Sequence, residues 1–292
     1  RILEQAPFSQ VKDLEEEYPV AENEDEEDNT YLSFNMVVGN AMDSMLGVAF
    51  DVLDYALLSA PGAPLKKALL DAQIGKDIYG DYSDGVLQPY FSVIAKGARA
   101  ARKEEFVSII RNCLQDIVKN GIDKKAVLSG INYMEFRYRE ADFGQFPKGL
   151  MYGLDIMGSW LYDDENAFSQ VKLLEIYDKL KIAVNEGYFE NLIQKWLRDN
   201  THGAILTLVP KRGLAAQREK ELADRLEEYR SSLSDEQLEE MVRKTKALEA
   251  YQESEERPED LKCIPMLKRS DIRKEVNGFS NEELQVDNSL FL

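Results

Sequence analysis

The triplet Ser83-Asp84-Gly85 lies between two strand-like runs, and the hairpin it implies constrains the fold more than any other feature. Asp and Gly tolerate the backbone angles of a tight β-turn, so residues 77–82 and 88–95 are predicted to fold back on one another. A two-stranded ribbon is marginal in water and needs more strands or a covering helix. Both are available upstream. Tyr31-Leu32-Ser33-Phe34-Asn35-Met36-Val37-Val38 alternates and carries β-branched residues, which predicts a strand. Met42, Met45, Leu46, Ala49, Val52, Leu53, Ala56 and Leu57 then recur at helical spacing, up to the breakers Ser59-Ala60-Pro61-Gly62-Ala63-Pro64. A short helix over 65–72 leads into the hairpin.

From Arg102 the pattern is largely helical. Phe106, Ile109, Ile110, Leu114, Ile117 and Val118 form one stripe that ends at Asn120-Gly121, a glycine stop. Further helices are predicted over 124–139, from Pro147 to residue 162 (proline suits a first turn), over 171–184 and over 188–197. The run Ala204-Ile205-Leu206-Thr207-Leu208-Val209 is a strand that ends at Pro210 and can rejoin the first sheet. The expected class is α+β, a mostly antiparallel sheet packed against several helices, an α/β roll.

The ends differ from this middle. Glu15-Glu16-Glu17 and the run from Glu22 to Asp28 have no face to bury, so residues 1–28 read as a solvated acidic lead-in. Residues 29–212 read as the folded domain. Leu222, Leu226, Tyr229 and Leu233 form a narrow seam among charges. Ser234-Asp235-Glu236-Gln237 is a capping box, and Leu238, Met241, Val242, Thr245 and Leu248 continue a seam beyond it. That predicts an antiparallel helical hairpin over 213–256, either a linker or an arm for docking a partner. Residues 257–292 read as an extended tail toward a further domain. The chain opens at Arg1, as expected of a piece of a longer polypeptide.

Composition narrows the chemistry. A net charge of −18 gives no basic footprint for phosphates, so no nucleic-acid partner is expected, whereas a cationic partner is compatible. No apolar run suggests a membrane span, and no membrane partner is expected. Cys113 and Cys263 lack metal or redox spacing. His202 is the single histidine, so no site with two histidine ligands can form, and it reads as a packing residue at the start of a strand. Neither a phosphate-binding glycine loop nor a GxSxG elbow is present. Tyr79, Tyr82 and Tyr90 on the hairpin are candidates to line a peptide groove together.

One stretch is more specific than composition requires. Asn132-Tyr133-Met134-Glu135-Phe136-Arg137-Tyr138-Arg139-Glu140 precedes Phe143-Gly144-Gln145-Phe146-Pro147-Lys148-Gly149-Leu150 and Trp160-Leu161-Tyr162. Together with Tyr31-Leu32-Ser33-Phe34, Pro64-Leu65-Lys66-Lys67-Ala68-Leu69-Leu70-Asp71, the run from His202 to Pro210, the segment from Thr245 to Gln252, Ile264-Pro265-Met266-Leu267 and Asp271-Ile272, it resembles the presequence-protease branch of the insulysin-type zinc metallopeptidases. Falcilysin-like enzymes belong to that branch, and the resemblance runs over nearly the whole chain.

The resemblance implies four homologous α+β domains in two bowl-shaped halves, joined by a helical hairpin around a peptide chamber. This chain is similar to the second domain plus the hairpin. The family's inverted zinc motif, HxxEH with a distal glutamate, belongs to the first domain and has no counterpart here. The zinc would therefore sit in the parent enzyme, with no metal or catalytic residue in this segment. Arg137 and Tyr138 lie in the wrong region to be the family's transition-state helpers. The resemblance does imply a substrate exosite at a strand edge, best matched by Ile78, Tyr79, Gly80, Asp81 and Tyr82, with Gly80 letting a peptide backbone approach. Unfolded peptides, basic ones included, and the parent's other domains are the implied partners. A stand-alone non-catalytic subunit, or a scaffold docking through the hairpin, is the alternative. A bacterial parent would be cytoplasmic, and an organellar one would lie in the mitochondrial matrix or another organelle.

Overall fold

The computed structural model describes residues 2–141, 143–272 and 274–275, and the backbone of 284–286 and 289–291. Two compact units are present, Arg1–Leu222 and Ala223–Leu292. The first is built on five strands, β1 (Lys12–Val20), β2 (Thr30–Val37), β3 (Asp77–Ser83), β4 (Tyr90–Ala98) and β5 (Gly203–Arg212). They form one sheet in the order β1-β5-β2-β4-β3. Every pairing is antiparallel except β1 with β5. The predicted hairpin is the pair β3–β4, and the late strand does rejoin the sheet, between β1 and β2.

Helices cover one face. Helix α1 (Ser44–Asp54) starts where the Asp43 carboxylate accepts the Leu46 N–H at 3.0 Å, and it widens into a π-turn over Tyr55–Ser59. Helix α2 (Pro64–Asp71) opens on a proline whose missing N–H costs nothing in a first turn. Helix α3 (Lys103–Asn120) stops at Gly121, where φ is 91°. Helix α4 (Lys124–Glu140) begins at an Asp123 cap, followed by α5 (Lys148–Trp160), α6 (Leu174–Ala183), the short α7 (Tyr188–Leu192) and a π-turn over Ile193–Arg198. Leu32, Phe34 and Met36 of β2 and Phe91, Val93 and Ala95 of β4 point into this layer. There they meet Phe50, Leu53 and Leu57, all essentially without solvent contact. Each such side chain contributes roughly 1.5–3 kcal/mol when fully buried. Ser44–Asp71 has the length and apolarity of a membrane span, yet its Leu46, Phe50, Leu53 and Leu65 are core residues of this domain.

The opposite sheet face is different. Tyr31, Asn35, Ile94, Leu206 and Leu208 stay half-buried there, as on a face without a covering layer. The Asn35 side-chain oxygen Oδ1 accepts the hydroxyls of Ser33 and Ser92, each at 2.7 Å, which ties β2 to β4 on that side.

The expected solvated lead-in over 1–28 is corrected. Lys12–Val20 is a nine-residue strand, parallel to β5, with most side chains exposed. An edge strand is held by main-chain bonds and needs no apolar face, and its charges keep other chains away. The domain boundary at residue 28 therefore disappears. The acidic run behind it also has a structural use: Asp28 pairs with Arg99, and the Arg212 backbone N–H donates to Glu26 at 2.8 Å.

Helix α8 (Leu214–Ser232) begins in the first unit and ends in the second, and α9 (Asp235–Glu253) follows after a short turn. The predicted capping box is present, with Gln237 N–H donating to Ser234 Oγ at 3.3 Å and Ser234 N–H to Gln237 Oε1 at 2.9 Å. The predicted seam is not closed, because Leu226, Tyr229, Met241, Val242 and Leu248 are all exposed. Helix α10 (Pro258–Leu261) follows, and β6 (Leu284–Val286) pairs with β7 (Ser289–Phe291). Much of the expected tail from 277 to 292 lies outside the described residues.

Candidate functional site

β3 is the last strand of its sheet and pairs only with β4 among the described residues. Its register shows which main-chain groups that leaves open. Val38 donates to Pro89 O at 2.8 Å and Val37 to His202 O at 2.9 Å. Main-chain bonding alternates along a strand, so Phe91, Val93 and Ala95 bond to β2, and Tyr90, Ser92 and Ile94 bond to β3. Tyr79, Asp81 and Ser83 are the partners of those three. The N–H and C=O groups of Ile78, Gly80 and Tyr82 therefore face outward along the open edge.

The five residues expected to form an exosite thus sit together on that edge, with their side chains divided between two faces. Ile78 is fully buried and Tyr82 turns inward to stack on Phe50, ring centroids 5.6 Å apart. Tyr79 and Asp81 lie on the other face and are exposed. Tyr90 shares that outer face at the far end of the hairpin, so Tyr79, Tyr82 and Tyr90 do not line one groove. Gly80 also has a packing role: a methyl group there would collide with Asp54 Oδ1 and come within 2.5 Å of Leu58 Cδ1, so those side chains would have to shift. Asp54 Oδ1 is itself buried without a hydrogen-bond partner. Burial, followed by the charge of Asp81, pushes this carboxyl up to about 6.

Next to the turn end of the edge lies an open cleft of about 570 Å³. Asp51 of α1, Tyr82 and Asp84 of the hairpin, Tyr138 of α4 and Asp155 of α5 all line it. Asp51 keeps partial solvent contact, yet its surroundings are dense enough to push its carboxyl up to about 8. Burial is the main cause, and the charges of Asp84 and Asp54 add to it. Periodicity placed Asp51 beside the apolar stripe of a helix, and no motif signalled the cleft.

The stretch from Asn132 to Glu140 is chiefly structural. Glu135 is buried and paired with both Arg139, at 2.6 Å, and Lys181 of α6, which hold its carboxyl below the usual range. The Tyr138 hydroxyl donates to Val171 O at 2.6 Å and accepts from Leu173 N–H. Arg137 is exposed and lies at the rim of the cleft. His202 packs against Phe8, ring centroids 4.8 Å apart, and burial lowers its pKa. Among the described residues no three His, Cys, Asp or Glu side chains converge to hold a metal, so this segment's donors do not fit a zinc ion. Burial pushes the Cys113 thiol up to about 11, which disfavours its thiolate.

The chain matches the model of the peptidase M16 inactive domain over residues 3–134, and that of the associated region of peptidase M16 subfamily C over 208–291. It is 40% identical over 286 residues to Protein HypA of Clostridium perfringens, covering 98% of this chain and 29% of that protein. With presequence protease 1, chloroplastic/mitochondrial, of Arabidopsis thaliana it shares 31% identity, over 94% of this chain and 26% of the plant protein. This chain therefore spans less than a third of the length of either relative. In fold it is similar to a peptidase M16 inactive domain from Pseudomonas fluorescens, with a TM-score of 0.50 at 14% identity, over 72% of this chain and 46% of that one. The edge strand β1 falls inside the matched inactive domain, as the sheet topology requires. The chain belongs to the M16 peptidase family, on its presequence-protease branch, as an inactive peptidase domain followed by the associated segment of subfamily C.

Proposed function

We propose that this domain is a non-catalytic wall of a peptide-degrading metallopeptidase, and that it holds extended substrate by adding a strand to β3. The observation that carries this reading is the open edge, where Ile78, Gly80 and Tyr82 present unpaired main-chain groups. Strand addition recognises backbone rather than sequence, which suits unfolded peptides of varied composition. The uncovered sheet face beside the edge gives such a peptide room. In this reading, hydrolysis belongs to the longer protein, through a zinc-activated water supplied by a domain outside this segment. The exposed seam of α8 and α9 supports packing against that remainder. The bacterial and organellar relatives suit either compartment for the parent.

Amide hydrogen exchange on the chain, with and without an unstructured peptide, tests the edge. The amides of Ile78, Gly80 and Tyr82 are expected to gain protection, whereas those of Tyr79, Asp81 and Ser83 are protected throughout. Uniform change along β3, or none, would sink the proposal.

A further inference from the structure

We infer that the cleft at the turn end of β3 is a subsite for a basic side chain, the guanidinium or ammonium group of an arginine or lysine in a bound peptide. The inference deepens the strand-addition reading and places a specific side chain where an added strand would run off the edge.

Four carboxylates line the cleft, Asp43, Asp51, Asp84 and Asp155, against one cation, Arg137. None of the four forms an ion pair among the described residues, although salt bridges are frequent elsewhere in the domain. Asp43 is engaged as a helix cap, and Arg137 stands 5.8 Å from the Tyr133 ring centroid. Asp51 is the informative member. Its carboxyl group lines the cleft, keeps partial solvent contact and has no hydrogen-bond or ion-pair partner among the described residues. Its neighbours favour the neutral form of this carboxyl, and a cation seated in front of it favours the ionised form. The carboxylates also repel one another, since Asp84 raises the pKa values of both Asp51 and Asp155.

The remaining wall fits the same guest. Tyr82, Tyr138 and Tyr177 line the cleft, and aromatic faces bind guanidinium and ammonium groups. Tyr82 is shared between edge and cleft: its main-chain groups face the open edge while its ring lines the cavity. A peptide following β3 toward the turn therefore delivers a side chain into the cleft mouth.

The test uses the full 292-residue chain and fluorescent, otherwise uncharged peptides long enough to lie along all of β3. One carries a single arginine and its twin carries citrulline, the uncharged isostere. Anisotropy at physiological salt should show the arginine peptide binding about tenfold tighter, the scale of one hydrogen-bonded charge. That preference should vanish in the D51N/D84N chain and persist in E15Q/E16Q, a pair of acid-to-amide changes on β1. Asparagine is nearly isosteric with aspartate, and a melting curve confirms folding of each variant. Equal binding of the twins, or a preference reduced alike by both double variants, overturns the subsite. N-methylated versions of both peptides separate the two ideas. Sensitivity to alternate N-methyl groups without an arginine preference leaves strand addition standing and the subsite refuted. An arginine preference without that sensitivity does the reverse, and failure of both peptides to bind overturns both.

Discussion

At the scale of single residues, Gly80 and Asp51 both answer to the packing around them. A side chain at 80 would run into Asp54 and Leu58, so Gly80→Ala is expected to lose about 1–3 kcal/mol of stability in denaturant unfolding, the usual range for overpacking. Asp54→Ala in the same chain should recover part of that loss, because it clears space and removes a buried, unpartnered oxygen. A neutral Gly80→Ala would instead return the glycine to a role outside the core. Asp51 and Asp54 bear on pH. Their folded pKa values, about 8 and about 6, lie above the ordinary 3.8. The folded chain therefore holds protons that the unfolded chain releases. The stability linked to those protons is complete below the ordinary value and is lost as pH rises toward 8. The Tm should accordingly rise between about pH 8.5 and pH 6.5, and Asp51→Asn should flatten that slope by about 3 °C or more, the scale of 1 kcal/mol in a domain this size. An unchanged slope would remove Asp51 from the account. Glu135 and His202 act in the opposite sense at lower pH, since their pKa values are held down in the folded state.

At the scale of elements, the two sheet edges are treated differently. β1 closes one side with a strand carrying Glu15, Glu16 and Glu17, and Lys211 of β5 pairs with Glu17 at 2.7 Å. On the β3 side no further strand pairs among the described residues. Removing residues 1–20 should bare the main-chain groups of β5, lower the Tm by several degrees and produce concentration-dependent aggregation measurable by light scattering. A chain that stays monomeric and equally stable would show that β1 is dispensable. The start of α9 provides a smaller effect. Ser234→Ala removes one side of the capping box, and α9 should lose about 1 kcal/mol and fray at its start in exchange measurements. The cap could be read from four consecutive residues because its partners are neighbours in the chain. β1 could not, because alternation marks strands that bury one face, and β1 buries almost nothing.

At the scale of the whole molecule, the chain carries an α+β domain and a helical segment whose apolar seam is exposed. If that segment is a connection, the truncated chain 1–222 should unfold with the same midpoint as the full chain and bind peptides equally well. If it is a docking arm for the substrate, peptide binding should be lost on truncation. Anisotropy with the same probes decides between them. The family matches fall on both parts.

Local regularities along the chain determined much of this protein: the hairpin, the helical stripes, the caps, the α+β class and the family resemblance all rest on residues within a few turns or one strand of each other. Residues 78–82 could be named as an edge by resemblance, while their freedom from a second strand depended on where β1 and β5 joined the sheet. Tertiary structure alone decided three further points. It made an acidic lead-in into a strand, because main-chain pairing with β5, about 190 residues away, has no side-chain signature. It assigned Gly80 to helix packing and turned Tyr82 away from Tyr79 and Tyr90, because the pleat sends alternate side chains to opposite faces. It also gathered Asp43, Asp51, Asp84 and Asp155 around one cleft. Those carboxylates come from α1 and its cap, from α5 and from a turn, spread over more than a hundred residues, and only folding brings them to one cleft.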